Sequence, residues 1–143
     1  MAASLKQKIT DIALRYKISD LYVFGSRSRE IAESISKTGL GGSASESDVD
    51  MGILPKGNET WSPEKLVALS LELEDTLKVN RLDLVLLPQA SPYLALDIIR
   101  GELLYAEDPD QQARYELFVL RRAADLLPFK KERNRMILEG RAR

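Results

Sequence analysis

The 143-residue sequence contains neither histidine nor cysteine. This excludes disulfide bonds, thiolate nucleophiles, a Ser-His-Asp triad, and zinc sites that are built from Cys or His ligands. Any bound metal must therefore use oxygen ligands. Any acid–base chemistry must be carried by carboxylates, lysine, tyrosine or water.

Long apolar runs are also missing. No stretch approaches the roughly 18 uninterrupted apolar residues that a membrane span requires, and the beginning, MAASLKQKIT, lacks the apolar core of a secretory signal. We therefore expect a cytoplasmic protein without a membrane association. The length, with 44% hydrophobic and 30% charged residues, predicts a single globular domain with one sizeable core.

The net charge of −1 is unevenly distributed. Residues 114–143 carry a net charge of +5, and the residues before them carry −6. A basic C-terminal segment suits nucleic acid or an acidic partner protein. The alternative is a solvated helix with charged outer faces.

The hydrophobic pattern predicts alternating helices and strands, in the order α-β-α-β-α-β-α-β-α. Helices are expected to begin after Ser4, near Arg29, at Ser62-Pro63, at Ser91-Pro92 and at Asp108-Pro109, the last ending at Pro128. The strands are expected at residues 21–24, 48–54, 82–87 and 103–105, and helices must cover at least one face of their sheet. We expect residues 1–107 to form the core and residues 108–143 a helical extension of the same domain.

Three aspartates lie where core strands ordinarily carry apolar residues. Asp48 and Asp50 are two residues apart, so on a strand both carboxylates project from one face, and Asp83 lies in the apolar run RLDLVLL. If these strands are neighbours, the carboxylates form one cluster, and a divalent cation would offset their repulsion. Carboxylates and water suit Mg²⁺ or Mn²⁺. The alternative is that Asp48 caps a turn and Asp50 faces solvent on an edge strand.

The second candidate element is Phe24-Gly25-Ser26-Arg27, where an apolar strand passes through Gly-Ser into a helix. A helix N-terminus favours anions, and glycine allows a phosphate to approach the backbone closely. Ser26 adds a hydroxyl donor, and Arg27 and Arg29 are candidate phosphate contacts in a nucleotide site. The alternative is an ordinary strand-to-helix turn.

Taken together, the order of these elements resembles the nucleotidyltransferase superfamily typified by DNA polymerase beta. The stretches LYVFGSR and SDVDMGIL are similar to the minimal nucleotidyltransferase (MNT) group, and the resemblance covers about residues 5–106. It implies an α+β, nucleotidyltransferase-like fold. In this fold a small mixed, mostly antiparallel sheet has helices on one side, and the C-terminal helix flanks it.

The resemblance also implies roles for individual residues. Gly25 and Ser26 would hold the triphosphate of ATP, and Asp48 and Asp50 would bind two divalent ions, Mg²⁺ or Mn²⁺. Asp83 would bind one ion and help to deprotonate the attacking hydroxyl, in keeping with two-metal phosphoryl transfer.

One spacing departs from the family pattern. Between Ser26 and Asp48 lie 21 residues, where the family usually has roughly ten. The surplus includes the Gly/Ser-rich residues 37–47. We expect these to form a mobile loop that either closes over the nucleotide or occludes the site.

The MNT resemblance further implies a partner. Free-standing members are commonly paired with a HEPN-domain toxin, and the active ones use ATP to adenylylate a tyrosine hydroxyl of that toxin. Two other functions stay open, namely an antitoxin that neutralises by contact alone and a nucleotidyltransferase acting on a small molecule such as an aminoglycoside. The three aspartates favour catalysis, and the short chain disfavours a small-molecule enzyme. A homo-oligomer is compatible with the sequence, and no direct contact with nucleic acid is expected.

Overall fold

The computed structural model describes residues 3–36 and 48–141. Their helices are α1 (Leu5–Arg15), α2 (Ser28–Ser36), α3 (Pro63–Leu77), α4 (Pro92–Ile99) and α5 (Pro109–Arg141). The strands are β1 (Ile18–Phe24), β2 (Val49–Pro55), β3 (Leu82–Leu86) and β4 (Glu102–Ala106). The predicted loop at residues 37–47 lies outside the described residues.

The four strands form one sheet in the order β3-β2-β1-β4. β1 pairs antiparallel with both β2 and β4, whereas β2 pairs parallel with β3. The expected mixed, mostly antiparallel sheet is therefore confirmed. The helix α3 makes the crossover that a parallel β2–β3 pair requires.

Serine side chains begin three of the helices, as the sequence predicts. The Oγ atoms of Ser4, Ser62 and Ser91 each accept a hydrogen bond from the backbone N–H three residues later. These bonds satisfy donors that the first helical turn otherwise leaves unpaired. At α5, Asp108 Oδ1 accepts from the Asp110 N–H at 3.0 Å.

Helices cover both faces of the sheet. One face packs against α1, α2 and α3, in a core that includes Ile9, Ile12, Leu21, Val23, Ile31, Met51, Ile53, Leu69 and Leu73. The other face packs against α4 and α5, around Tyr22, Leu87, Ala95, Ile98 and Val119. The expectation of helices on one side, with the C-terminal helix flanking the sheet, was therefore wrong for the position of α4. The central strand β1 is apolar at successive positions, so both of its faces need cover.

The last helix does not end at Pro128, as we expected, but continues from Pro109 to Arg141. Proline removes one backbone donor and costs about 3 kcal/mol inside a helix. It does not forbid continuation when the neighbouring turns favour a helix. The stretches DLL before it and KKER after it are rich in helix-forming residues. Among the described residues, no helix is long and apolar enough to cross a membrane.

Candidate active site

The three predicted aspartates meet at one end of the sheet. Asp50 on β2 is the register partner of Asp83 on the parallel strand β3, and on its other side it pairs with Phe24 on β1. Asp48 precedes β2 by one residue. The neighbouring strands that the metal hypothesis required are therefore present, and they bring the predicted residues to one end of the sheet.

Alternation along β2 turns the aspartates toward the α4/α5 face. Val49, Met51 and Ile53 are fully buried in the core on the opposite face, so the side chain of Asp50 projects from the other side. The alternative placement of Asp50 on an edge strand is wrong, because β2 lies between β3 and β1. The side chains of Asp48 and Asp83 are each 45% exposed, so this end of the sheet is open to solvent.

Gly25 lies directly against Asp50. Its φ of +85° belongs to the left-handed region that glycine favours, and a Cβ atom built there would lie 3.0 Å from Asp50 Oδ2. Gly25 and Ser26 are both exposed, and the Gly25 carbonyl accepts from the Ser28 N–H at 3.2 Å as α2 begins. The Gly-Ser turn and the aspartates thus border the same open space.

The side chain of Arg27 is buried and paired, unlike an arginine that is exposed to bind a phosphate. Its side chain is only 5% exposed, and its Nε donates to Glu30 Oε2 at 2.9 Å. This pair fixes the first turn of α2 behind the Gly-Ser turn. Arg29, by contrast, is exposed. A phosphate-binding role for Arg27 or Arg29 stays a prediction.

Among the described residues, the electrostatics at this end of the sheet are dominated by the three carboxylates and by Arg81. The pKa of Asp50 is raised, first by burial and then by the neighbouring charges of Asp83 and Asp48. Arg81 Nε lies 3.4 Å from Asp83 Oδ1 and 3.7 Å from Asp48 Oδ2. The guanidinium therefore partly compensates the two outer carboxylates.

The donor chemistry fits a hard divalent ion, although the side chains are not arranged around one. Carboxylate oxygens on two adjacent strands are what Mg²⁺ or Mn²⁺ prefers. Within residues 3–36 and 48–141, no group of three acidic residues is already positioned to hold a metal. Arg81 reaches two of the three predicted ligands.

Two contributors to this site were missed by reasoning from the sequence. Arg81 shares the alternation of Asp83, two residues away, and that spacing was the available signal. Gly101 was predicted only to end a helix. A Cβ atom at Gly101 would lie 2.2 Å from the Val23 carbonyl oxygen and 2.9 Å from Phe24 Cα, so the α4–β4 turn packs against the end of β1.

Comparison with known protein families shows the family to which this chain belongs. Residues 7–110 match the family described as polymerase beta, nucleotidyltransferase. The chain belongs to this nucleotidyltransferase family. The matched residues include the Gly-Ser turn and all three aspartates of the nucleotidyltransferase domain. No curated protein matches the sequence significantly.

Solved structures support the same fold for this nucleotidyltransferase. A chain of a mutant form of the toxin–antitoxin MntA-HpeT is 18% identical with a TM-score of 0.70, covering 93% of this chain and 98% of that one. A toxin–antitoxin with AMP-PNP is 18% identical with a TM-score of 0.67, and the match covers the same share of each chain. A chain of the tri-AMPylated Shewanella oneidensis HEPN toxin in complex with MNT antitoxin is 22% identical with a TM-score of 0.61. The match covers 94% of each chain. At these identities the likeness shows the fold.

Proposed function

We propose that this nucleotidyltransferase transfers AMP from ATP to a hydroxyl of a partner protein, a tyrosine of a HEPN-domain toxin, and thereby acts as an antitoxin in the cytoplasm. The observation that carries the proposal is the meeting of Asp50 and Asp83 on adjacent strands, with Gly25 against Asp50. A nucleotide cradle and a carboxylate cluster at the same end of the sheet are what metal-dependent phosphoryl transfer requires.

Two of the structural relatives support the choice of acceptor class. They include a toxin–antitoxin with AMP-PNP and an AMPylated HEPN toxin in complex with MNT antitoxin. AMP-PNP is an ATP analogue, and AMPylation is the product that transfer from ATP would leave. Both support the choice of ATP as donor and of a protein as acceptor.

The proposed reaction forms one bond and breaks another at the α-phosphorus. The acceptor oxygen bonds to this phosphorus as the bond to the bridging α–β oxygen breaks, and pyrophosphate leaves. Asp48, Asp50 and Asp83 would hold Mg²⁺ or Mn²⁺, which supplies charge stabilisation for the phosphates. Asp83 takes the acceptor's proton on its carboxylate, while the Gly25-Ser26 turn holds the triphosphate.

The outer surface of α5 supports a protein acceptor. Large apolar side chains are exposed along it: Leu117, Phe118, Leu120, Leu126 and Leu127. A groove of about 520 Å³ runs between α4 and α5 and is lined in part by Tyr93, Leu96, Leu120 and Leu127. Apolar surface of this kind, with Arg121 and Arg122 exposed beside it, suits a partner with an apolar and acidic face.

The test uses the purified full chain with ATP labelled at the α-phosphate, Mg²⁺ or Mn²⁺, and a purified HEPN-domain toxin. We expect label on the toxin, at a tyrosine identified by mass spectrometry, with no label from γ-labelled ATP. An Asp50→Asn variant is the inactive control, and Asp11→Asn is the matched control, because Asp11 is an exposed aspartate on α1 away from the cluster.

The outcomes distinguish the remaining functions. Complex formation without label would replace catalysis with neutralisation by contact, which the exposed apolar residues of α5 also favour. Label on an aminoglycoside but not on the toxin would replace the protein acceptor with a small molecule.

A further inference from the structure

Among the described residues, Arg81 is the cation paired with the two outer carboxylates of the cluster, those of Asp48 and Asp83. Its backbone is fixed beside the cluster, because the Arg81 carbonyl accepts from the Val49 N–H at 3.0 Å. Its position two residues before Asp83 places both side chains on the same face of the sheet. The guanidinium therefore lies beside Asp48 and Asp83 as a consequence of strand register.

The contacts of Arg81 are loose and solvent-exposed. Its Nε is 3.4 Å from Asp83 and 3.7 Å from Asp48, longer than the roughly 2.7–2.9 Å of a strong charge-assisted hydrogen bond. The side chain is 68% exposed. Exposed ion pairs of this kind contribute little and exchange readily with solvent. The guanidinium can leave the carboxylates without disturbing the core.

One guanidinium is also an incomplete counter-ion. Within the described residues, one guanidinium is paired with this cluster of three carboxylates, and its Nε lies within 4 Å of Asp48 and Asp83 but not of Asp50. A divalent ion carries twice the charge in a smaller volume, so it is the stronger competitor for the same oxygens.

We propose that Arg81 competes with the divalent ions for Asp48 and Asp83 and so sets the metal concentration at which the site is loaded. This inference rests on the metal site of the proposed function and adds a positioning residue to it. Without metal, Arg81 limits the repulsion among the carboxylates. With metal, its guanidinium is displaced into solvent.

The test measures Mn²⁺ binding rather than transfer. Free Mn²⁺ is quantified by electron paramagnetic resonance as the full chain is titrated without nucleotide. We expect Arg81→Gln to bind Mn²⁺ about threefold to tenfold more tightly than the wild type, because removing two exposed ion pairs removes the competitor. Arg81→Lys keeps the charge and should lie between the two.

The matched control is Arg15→Gln. Arg15 is also an exposed arginine paired with a carboxylate, Glu72, at 2.6 Å, but it lies on α1 away from the cluster. Its Mn²⁺ affinity should equal that of the wild type. A second readout is the melting temperature in EDTA, which Arg81→Gln should lower, whereas its increase on adding Mn²⁺ should be larger than in the wild type.

The outcomes separate the inference from the proposed function. If the wild type binds Mn²⁺, Asp50→Asn abolishes binding, and Arg81→Gln binds with equal or lower affinity, Arg81 is not a competitor but the metal site stands. If neither the wild type nor Arg81→Gln binds Mn²⁺, the metal site and the competition both fail.

Discussion

Two acidic regions lie at opposite ends of the same sheet face, and they differ in what surrounds them. At one end Asp50 and Asp83 are partly exposed, with Arg81 beside the cluster. At the other end Asp20 on β1 is only 1% exposed beneath α5. Within the described residues, neither oxygen of Asp20 has a hydrogen-bond partner.

The surroundings of Asp20 are acidic as well. Burial, followed by the charges of Glu116, Glu107 and Asp108, raises its pKa to about 6. The nearby polar groups are occupied with one another, since the Tyr22 hydroxyl donates to Glu116 at 2.8 Å and Gln112 donates to the Tyr22 oxygen at 2.8 Å. Lys56 pairs with Glu107 at 3.1 Å.

This contrast distinguishes carboxylates that can form a binding site from a carboxylate that lowers the stability of the fold. Carboxylates that water and a removable cation can reach stay charged cheaply and are available to a ligand. A carboxylate sealed under a helix without a cation opposes folding whenever it is ionised. The exposure of each aspartate to solvent must therefore be known before a role is assigned to it.

The largest expected effect is on activity, which should depend on the Asp48/Asp50/Asp83 cluster and not on Asp20. Asp83→Asn should lower AMP transfer by about a thousandfold or more, because the proton acceptor and a metal ligand are lost together. Asp20→Asn should leave the transfer rate unchanged, because Asp20 lies at the far end of β1. Initial rates with α-labelled ATP measure both, and equal losses in the two variants would contradict the division.

The second effect divides them by stability and pH. Because the pKa of Asp20 is raised in the folded state, that state holds the proton more tightly than the unfolded chain. The contribution of Asp20 to the free energy of unfolding should therefore fall as pH rises from about 4 to about 6 and then level off, a loss on the order of 2–3 kcal/mol.

The variant Asp20→Asn removes that titration. It should melt at a higher temperature than the wild type at about pH 8, and the difference should shrink toward pH 4. Asp50→Asn should raise stability less, since Asp50 is partly exposed. Calorimetry across this pH range measures both, and a constant Asp20→Asn difference at every pH would refute the assignment.

The smallest effect concerns the Gly-Ser turn. Gly25→Ala should destabilise the protein by about 1–2 kcal/mol, through the positive φ and through the contact of its Cβ with Asp50. Gly57→Ala is the matched control, because Gly57 has a φ of +67° and nothing within 4 Å of an added Cβ. Urea denaturation of both variants measures how much of the destabilisation comes from the contact with Asp50. Equal destabilisation in the two variants would show that this contact contributes nothing.

Most of the fold and the candidate site followed from local signals. Serine and proline at helix starts, apolar strands and the two-residue spacing of Asp48 and Asp50 each act within a few residues. The sequence could not indicate which helix covers which face, because the distribution of α4 and α5 depends on packing across the whole sheet. The predicted end at Pro128 was wrong because one proline costs about 3 kcal/mol without forbidding a helix whose flanking turns are rich in helix-forming residues.

The acidic regions show the same limit. Asp20 received no role because the predicted first strand began at Leu21, whereas β1 begins at Ile18 and carries Asp20 in its interior. Arg81 lies just outside β3, and its approach to Asp48 depends on the parallel pairing of strands more than thirty residues apart. Contacts of that range are not encoded in any single stretch of sequence.

The central place of β1 in the sheet has a consequence for synthesis of the chain. The ribosome delivers β1, β2 and β3 before β4, so the strands that bring the aspartates together can pair once residue 86 has left the exit tunnel. The second partner of β1 is β4, which follows β3 after about one to three seconds of translation. Until then β1 presents an open hydrogen-bonding edge, with Tyr22 uncovered by α5. The nascent chain is therefore most exposed to misassociation when its carboxylate cluster has already formed.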